Sequence, residues 1–182
     1  VVIPKMEKVT GVKYDEDKLK RHLEYSKEAE DWIVKIFETT KHKPSPIDAY
    51  FAGVYYIGPI NIGYRGTAKA VEYYKELYSE IQDRIKKGLG PITPEGEMKE
   101  EKYRLVVEGP PNWTNFREFW KLFYDMGAVT VASSYTKVGG VYDLGWRHDP
   151  ERPLEALSEY CMNCYTNLNL PQRIDLLSKY NI

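Results

Sequence analysis

The sequence predicts an α/β protein in which a helical segment is followed by part of a parallel-sheet domain. In residues 15–87, apolar side chains recur every three or four positions, which indicates amphipathic helices. Residues 104–133 then have the pattern of a strand, a helix and a second strand, which favours a parallel pair with a right-handed crossover. The composition, 42% hydrophobic and 29% charged over 182 residues, is that of a globular chain rather than a disordered one.

The first predicted helix begins after Asp15, whose side chain can accept a hydrogen bond from a backbone N–H of the first turn. Residues 43–46, Lys-Pro-Ser-Pro, end this helix because proline disrupts helical hydrogen bonding. Charged residues occupy the face opposite an apolar stripe. The stripe consists of Leu19, Leu23, Ala29, Trp32, Ile33, Ile36 and Phe37.

Two further helices are predicted in the helical segment. Ser45 is the expected cap of the first, with Pro46 in its first turn and Asp48 near its positive end. This helix is apolar over most of its surface, so we expect it to be buried. Residues 58–66 are rich in turn formers, and Thr67 is the predicted cap of the next helix.

Residues 90–102 contain glycine, proline and a run of charges with almost nothing apolar, which is typical of a linker. We therefore predict three parts in the chain. These are a helical segment over residues 1–90, a linker over residues 91–102, and the first part of an α/β domain over residues 103–182.

The α/β part begins with a predicted buried strand at residues 104–108 and a second strand at residues 128–133. Residues 112–126 between them predict a helix. Its expected inward-facing side chains are Phe116, Phe119, Trp120 and Phe123.

Two helices are predicted after the second strand. One enters through Pro153 and runs to about Tyr165, and the other enters through Pro171 and runs to about Tyr180. Proline is favoured at the first helical position because its missing N–H would have no helical partner there.

Charge and cysteine content bear on the class of function. Lys plus Arg number 26 against 27 Asp plus Glu, so charge gives no reason to propose a nucleic acid or an anionic membrane as partner. No apolar run approaches the length of a membrane span. The two cysteines and the absence of a signal peptide predict a cytoplasmic protein. Because the sequence starts at Val1 and stops at Ile182, just after a helical pattern, we expect a fragment.

Candidate ligand contacts follow from the predicted parallel strands. Ligands of open parallel sheets bind beyond the carboxyl ends of the strands, where helix N-termini also point their N–H groups. This rule nominates residues 109–113 after the first strand and residues 133–140 after the second. The second loop is the better candidate because it contains hydroxyls, a lysine and a glycine pair. Ordinary turns without a ligand are the alternative.

Cysteine and histidine give weaker signals. Cys161 and Cys164 have the spacing of half a zinc site or a redox pair, but the chain has no second cysteine pair. Three apart on a helix, the thiols would share one face, where packing as small buried side chains is the usual role. His148 has the neighbours of a polar loop residue, with a general-base role as the alternative. Motifs of kinases, nicotinamide enzymes and serine hydrolases do not occur.

Three stretches carry a resemblance to a known family. They are residues 103–113 (YRLVVEGPPNW), 127–140 (GAVTVASSYTKVGG) and 159–171 (EYCMNCYTNLNLP). Together they resemble the 2-hydroxyacyl-CoA dehydratase family and, within it, the beta subunits of ATP-dependent benzoyl-CoA reductases. The resemblance covers essentially the whole chain, and residues 164–171 are its most specific part. It implies that the helical segment bridges two Rossmann-like domains and that residues 103–182 begin the second of them.

The resemblance also implies an activity, a cofactor and partners. The reaction would be reductive dearomatisation of benzoyl-CoA, or a related acyl-CoA, to cyclohexa-1,5-diene-1-carbonyl-CoA. The cofactor would be a 4Fe-4S cluster in the full-length subunit, with ligands mainly outside this chain, so no metal role is assigned to Cys161 or Cys164. The partners would be a homologous catalytic subunit, an ATP-hydrolysing iron-sulfur activator and ferredoxin as upstream donor. A ring radical would require a dry pocket.

By the same resemblance, residues 133–140 lie where the second domain faces the first. The expected substrate or cleft contacts of this loop are Ser134, Tyr135, Thr136 and Lys137. Further candidates come from the most specific stretch and the residue before it, namely Asn163, Cys164, Tyr165 and Asn167. No residue is assigned a catalytic role.

Two alternative functions stay open. A 2-hydroxyacyl-CoA dehydratase subunit would share the fold, the cluster and the activator, but would eliminate water after electron transfer. A non-catalytic interaction subunit is the alternative of another class. The chain contains 16 Tyr and 4 Trp, and aromatic side chains are enriched both in cores and at interfaces.

Overall fold

The computed structural model describes residues 2–93, 96–97, 100–133, 135–137, 146–163 and 167–178. The α-helices are α1 (Val2–Thr10), α2 (Glu16–Glu38), α3 (Ala49–Ala52), α4 (Gly58–Gly63), α5 (Ala68–Lys86), α6 (Phe116–Asp125), α7 (Pro153–Met162) and α8 (Leu170–Ser178). The strands are β1 (Ile92–Thr93), β2 (Gly96–Glu97), β3 (Tyr103–Val107) and β4 (Ala128–Ser133). Single 3₁₀ turns occur at Thr39–Lys41, Trp113–Asn115 and Tyr135–Lys137, and a π-helical turn at Gly53–Ile57.

Helices α2 and α5 pack against each other and form the main core of the helical segment. Both predicted caps are confirmed: Oδ1 of Asp15 accepts from Lys18 N at 2.8 Å, and Oγ1 of Thr67 accepts from Ala70 N at 3.4 Å. The buried core side chains are Ala29, Ile33, Ile36, Phe37, Ile47, Ala49, Ala52, Ile57, Ala70, Val71, Tyr74 and Ile81.

The predicted start of the second helix is wrong by three residues. Asp48, not Ser45, caps α3: its Oδ1 accepts from the backbone N–H groups of Tyr50 at 3.0 Å and Phe51 at 2.8 Å. The Ser45 hydroxyl instead donates to the carbonyl of Ile47 at 2.6 Å. Ser45 therefore serves the turn that precedes the helix.

The stretch from residue 58 to residue 66, predicted as turns, begins as helix α4. It continues directly from the π-helical turn, and a Cβ on Gly58, the first residue of α4, would lie 2.6 Å from the carbonyl oxygen of Gly53. Glycine is therefore required at position 58 by a close backbone approach within a helix. The same residue type also occurs in turns, which explains the incorrect prediction.

Strands β3 and β4 form the predicted parallel pair. Tyr103 is paired with Ala128 and Val107 with Ser133, with an irregularity between Leu105 and Val106. All residues of β4 are buried, as expected for a strand in the interior of an α/β fold. The α/β class is confirmed by this pair and by the helix that joins its strands.

Helix α6 connects the two strands and packs on β4. Phe116, Trp120 and Tyr124 are buried, at the four-residue spacing of one helix face. Phe119 is 41% exposed, so its predicted inward orientation is wrong. It lies next to the buried stripe, about 100° away around the helix from Trp120.

Polar contacts join the strand pair to the helical segment. Oδ2 of Asp48 accepts from the backbone N–H of Thr130 at 2.7 Å. The Thr40 hydroxyl donates to the carbonyl of Val131 at 2.9 Å. Both contacts reach backbone groups of β4, so the helical segment is fixed directly to this strand.

The remaining elements agree with the sequence only in part. In the stretch predicted as a linker, β1 and β2 form a short antiparallel pair, and Glu97 accepts from the guanidinium of Arg84 at 2.7 Å. Helix α7 begins at the predicted Pro153, and α8 begins one residue before Pro171. In the part of the chain that the structure describes, no helix has the length and hydropathy needed to cross a membrane. The division into three parts stays a prediction.

Candidate functional site

The carboxyl ends of β3 and β4 lie at the same edge of the parallel pair. Strand β3 ends at Val107, and β4 ends at Ser133. The segment after β3 contains Gly109, whose φ of 99° is in the region that favours glycine. The Tyr135–Lys137 turn follows β4. The two predicted ligand loops therefore leave the sheet side by side, as the rule for parallel strands required.

Tyr50 of α3 contacts both of these loops. Its hydroxyl donates to the carbonyl oxygen of Gly109 at 3.1 Å, and its ring centroid lies 6.1 Å from that of Tyr135 in an edge-on arrangement. Burial is the main cause that raises the pKa of Tyr50 to about 12, and the neighbouring Tyr135 contributes less. The hydroxyl therefore keeps its proton near neutral pH and serves as a hydrogen-bond donor.

Aromatic rings continue from Tyr135 to the surface. The Trp113 side chain is 61% exposed, so it is not a core residue, and its ring centroid lies 6.0 Å from that of Tyr135. Phe116 connects this exposed ring to the buried aromatic cluster, with its centroid 6.2 Å from Trp113 and 5.9 Å from Tyr50. We call Tyr50, Trp113, Phe116 and Tyr135 the aromatic edge.

The turn after β4 is held by close contacts. The backbone N–H of Tyr135 donates to the Ser133 hydroxyl oxygen at 3.1 Å, and the Thr136 hydroxyl donates to the Ser133 carbonyl at 3.2 Å. A Cβ on Gly53 would lie only 2.1 Å from Cγ2 of Thr136. Gly53 belongs to the π-helical turn, a feature that often occurs at functional sites. The structure thus places Tyr135 and Thr136 at the carboxyl edge.

The other predicted cleft residues are described in part. Asn163 follows the last turn of α7, where its side-chain amide donates to the carbonyl of Glu159 at 2.8 Å. The amide of Asn167 donates to the carbonyl of Cys161 at 3.1 Å, so both asparagines bond to α7 itself. Lys137 is the last residue of its turn, and its side chain lies outside the described residues. Also outside them are Ser134, Cys164 and Tyr165.

A metal site is not formed by the residues that the structure describes. Cys161 is an exposed free thiol, so the expected burial of this residue is wrong. Among the described residues, no group of three or more His, Cys, Asp and Glu side chains could hold a metal ion. A 4Fe-4S cluster is ordinarily held by four cysteine thiolates, and the whole chain contains two cysteines. The residues present therefore do not fit the cluster.

Sequence patterns did not indicate the roles of Tyr50, Gly53 and His148. Tyr50 and Gly53 lie in an apolar helical stretch whose pattern indicates only burial. His148 is 2% exposed, and its Nδ1 lies 3.3 Å from Oε1 of Glu30 in α2. This pair is far apart in sequence, so no local spacing could have indicated it.

The chain is similar over most of its length to proteins of known activity. Residues 2–180 match the family model described as 2-hydroxyglutaryl-CoA dehydratase, D-component. The chain is 68% identical over 179 residues to a benzoyl-CoA reductase subunit from Thauera aromatica, which covers 98% of this chain and 41% of that relative.

More distant relatives include two dehydratase subunits. The chain is 28% identical over 139 residues to the (R)-phenyllactyl-CoA dehydratase alpha subunit of Clostridium sporogenes, covering 76% of this chain and 32% of the relative. It is also 28% identical over 120 residues to the alpha subunit of (R)-2-hydroxyglutaryl-CoA dehydratase from Acidaminococcus fermentans, covering 65% and 24%. The chain spans less than half the length of each of these three relatives.

Proposed function

The chain belongs to the 2-hydroxyglutaryl-CoA dehydratase D-component family, and on this premise we propose that it is part of a benzoyl-CoA reductase catalytic subunit. The complete subunit would reduce the aromatic ring of benzoyl-CoA, adding two electrons and two protons to give cyclohexa-1,5-diene-1-carbonyl-CoA. The proposal concerns the complete subunit because the chain spans 41% of the length of its reductase relative. We place this subunit in the cytoplasm.

The observation that carries the proposal is the difference in similarity between two kinds of relative. Identity to the reductase subunit is 68% over 98% of the chain, whereas identity to the two dehydratase subunits is 28% over shorter stretches. A shared family alone would support either reaction. The high identity over nearly the whole chain favours the reductase.

The aromatic edge supports an acyl-CoA site at the carboxyl ends of β3 and β4. We propose that Tyr135 and Thr136 contact the substrate or line its cleft, together with Ser134 and Lys137. Tyr50 would hold Tyr135 in place through ring contact and would fix Gly109 through its hydroxyl. Apolar rings exclude water, which suits a reaction in which water would quench a reactive ring intermediate.

A second group of proposed cleft residues follows α7. It comprises Asn163, Cys164, Tyr165 and Asn167. The amides of Asn163 and Asn167 bond to carbonyls of α7, so both residues are held against this helix.

The electron source of such a reductase would be a 4Fe-4S cluster, which supplies single electrons at low potential. Because the residues of this chain do not fit the cluster, we propose that its ligands belong to other parts of the complete subunit. The proposed partners are a homologous catalytic subunit and an ATP-hydrolysing iron-sulfur activator that receives electrons from ferredoxin. The contribution of this chain would be to bind and orient the acyl-CoA and to exclude water.

The test is an assay of the complete subunit, assembled anaerobically with its partner subunit and activator. With ATP and reductant, we expect conversion of benzoyl-CoA to the cyclohexadiene product. An (R)-2-hydroxyacyl-CoA is the comparison substrate, and we expect no dehydration. Dehydration without ring reduction would replace the proposal with the dehydratase function. Turnover of neither substrate by the assembled complex would favour a non-catalytic role.

Variants of the complete subunit test the site itself. Tyr135→Phe and Lys137→Ala should weaken acyl-CoA binding or turnover. Tyr103→Phe is the matched control, because Tyr103 is exposed at the opposite, amino end of β3. Affinity and turnover like those of the unmodified enzyme in both site variants would remove these residues from the site.

A further inference from the structure

A carboxylate is buried in the middle of α2. Glu30 is only 2% exposed, and its Oε1 accepts a hydrogen bond from Nη2 of Arg65 at 3.1 Å. Nδ1 of His148 lies 3.3 Å from the same oxygen. Removing one partner from a buried charged group is costly because it leaves the charge uncompensated. Glu30 therefore fixes the turn before α5 to α2 through Arg65, and the buried His148 of the segment before α7 lies against the same carboxylate.

Tyr160 of α7 completes this cluster. Its ring stacks on that of His148 with the centroids 4.3 Å apart, and the guanidinium of Arg65 lies 4.9 Å from the centre of the Tyr160 ring. Burial, and then the charge of Glu30, raise the pKa of the Tyr160 hydroxyl. The phenol therefore stays protonated, and Tyr160 contacts the cluster through its ring.

A second ion pair lies beside the first. Asp31 follows Glu30 in α2, and its Oδ1 accepts from Nε of Arg147 at 2.6 Å. Two consecutive acidic residues on α2 thus face two consecutive residues, Arg147 and His148, of the segment before α7. This arrangement fixes the register of that segment on α2, because a shift by one residue would break the Arg147–Asp31 bond and move the ring of His148 out of its buried position.

Helix α7 ends where the second group of proposed cleft residues begins. Tyr160 and Asn163 are three residues apart, so they lie on the same side of the last turn. The contact of Tyr160 with the Glu30 cluster therefore determines the rotation of α7 about its axis. That rotation determines the direction in which the chain leaves the helix at Asn163.

We propose that Glu30 is a positioning residue that, through His148, Arg65 and Tyr160, orients α7 and thereby Asn163 and Asn167, whose amides bond to this helix. The inference rests on the proposed function, in which these two residues line the acyl-CoA cleft. Glu30 itself does not touch the substrate. Its effect reaches the cleft through Tyr160 and the end of α7.

The test compares two substitutions on the same helix in the complete, assembled enzyme. Glu30→Gln removes the buried charge, and Glu28→Gln is the matched control. Glu28 pairs with Lys75 at 2.7 Å, but both side chains of that pair are about half exposed. Exposed ion pairs contribute little to stability, so the control should behave like the unmodified enzyme.

For Glu30→Gln we expect the KM for benzoyl-CoA to rise about fivefold or more, while kcat changes less than about twofold. Glu28→Gln should leave both parameters within about twofold. Tyr160→Leu, which removes the ring that stacks on His148 and faces the guanidinium of Arg65, should reproduce the rise in KM. It also provides the same comparison if Glu30→Gln fails to fold.

Hydrogen exchange separates this inference from the proposed function. In Glu30→Gln, amides of residues 163–169 should exchange at least about threefold faster than in Glu28→Gln, whereas amides of β4 should not change. Unchanged KM and unchanged exchange in residues 163–169, even with a lower melting temperature, would overturn the positioning role. Absence of ring reduction by the unmodified complex would overturn the proposed function instead, and the exchange comparison would still decide the role of Glu30 in orienting α7.

Discussion

The carboxylate of Asp48 accepts a hydrogen bond of 2.7 Å from the backbone N–H of Thr130, 82 residues later in the chain. The same carboxylate caps α3 through Tyr50 and Phe51. One buried side chain therefore joins the start of the helix that carries Tyr50 to the strand that leads to Tyr135. The aromatic edge depends on this junction, because Tyr50 and Tyr135 meet across it.

At a pH where the carboxyl of Asp48 is protonated, Asp48→Asn should make the complete subunit less stable than the unmodified protein. The amide oxygen can still accept from Tyr50 and Phe51, but the amide NH₂ would face the N–H of Thr130, and two donors cannot bond. We expect a loss of about 2–3 kcal/mol near pH 4, measured by denaturant unfolding. Asp125→Asn is the control, since Asp125 forms an exposed ion pair with Lys121 at 2.9 Å and should cost less than about 1 kcal/mol. Equal losses in the two variants would contradict the junction.

The Asp48 variant should also differ from the unmodified protein in its pH dependence. Burial raises the pKa of Asp48 from 3.8 to about 6. Between these values the unfolded chain has lost this proton while the folded chain retains it. The contribution of Asp48 to the free energy of unfolding therefore falls as pH rises from about 4 to about 6 and is constant above that. We expect the advantage over Asp48→Asn to shrink by about 3 kcal/mol across this range. A constant difference would show that this pKa is not raised.

Gly53→Ala should displace the turn that carries Tyr135 and Thr136. The new Cβ would lie 2.1 Å from Cγ2 of Thr136, a distance that forces one of the two segments to move. We expect a loss of about 1–3 kcal/mol and a higher KM for the acyl-CoA. Gly63→Ala is the control because nothing lies within 4 Å of its added Cβ. It should be neutral or slightly stabilising. Similar behaviour of both variants would refute the close contact.

Tyr50→Phe should loosen the loop after β3. The substitution keeps the aromatic contacts but removes the donor to the carbonyl of Gly109. We expect a loss of about 0.5–1.5 kcal/mol in unfolding free energy and faster hydrogen exchange around Gly109. Tyr25→Phe, at an exposed position of α2, should change neither quantity. Unaltered exchange around Gly109 in Tyr50→Phe would mean that the hydroxyl does not hold this loop.

Regular elements were predictable where the local pattern is strong. Strand β4 has the predicted bounds because six small or apolar residues follow the positive-φ Gly127, which ends α6. Helix α1 was missed because it has no buried residue, and its apolar side chains, such as Val9, are exposed. The segment has only nine residues and contains Pro4, so its apolar spacing alone did not indicate a helix.

Long-range contacts explain what the sequence could not show. The sequence predicted Ser45 as the cap, whereas the observed cap, Asp48, also bonds to Thr130, which no local pattern connects to it. Glu30 and His148 look like ordinary polar residues until the fold buries them together. At the candidate site, the parallel-strand rule predicted the position of Tyr135 correctly. It could not predict Tyr50, because this side chain reaches the site from another part of the chain.

The most direct measurement is a structure of the complete, anaerobically assembled enzyme with benzoyl-CoA bound. We predict that atoms of the acyl-CoA lie within about 4 Å of Tyr135 and Thr136 at the carboxyl ends of β3 and β4. An acyl-CoA bound elsewhere, with Tyr135 and Thr136 in contact only with protein, would contradict the account.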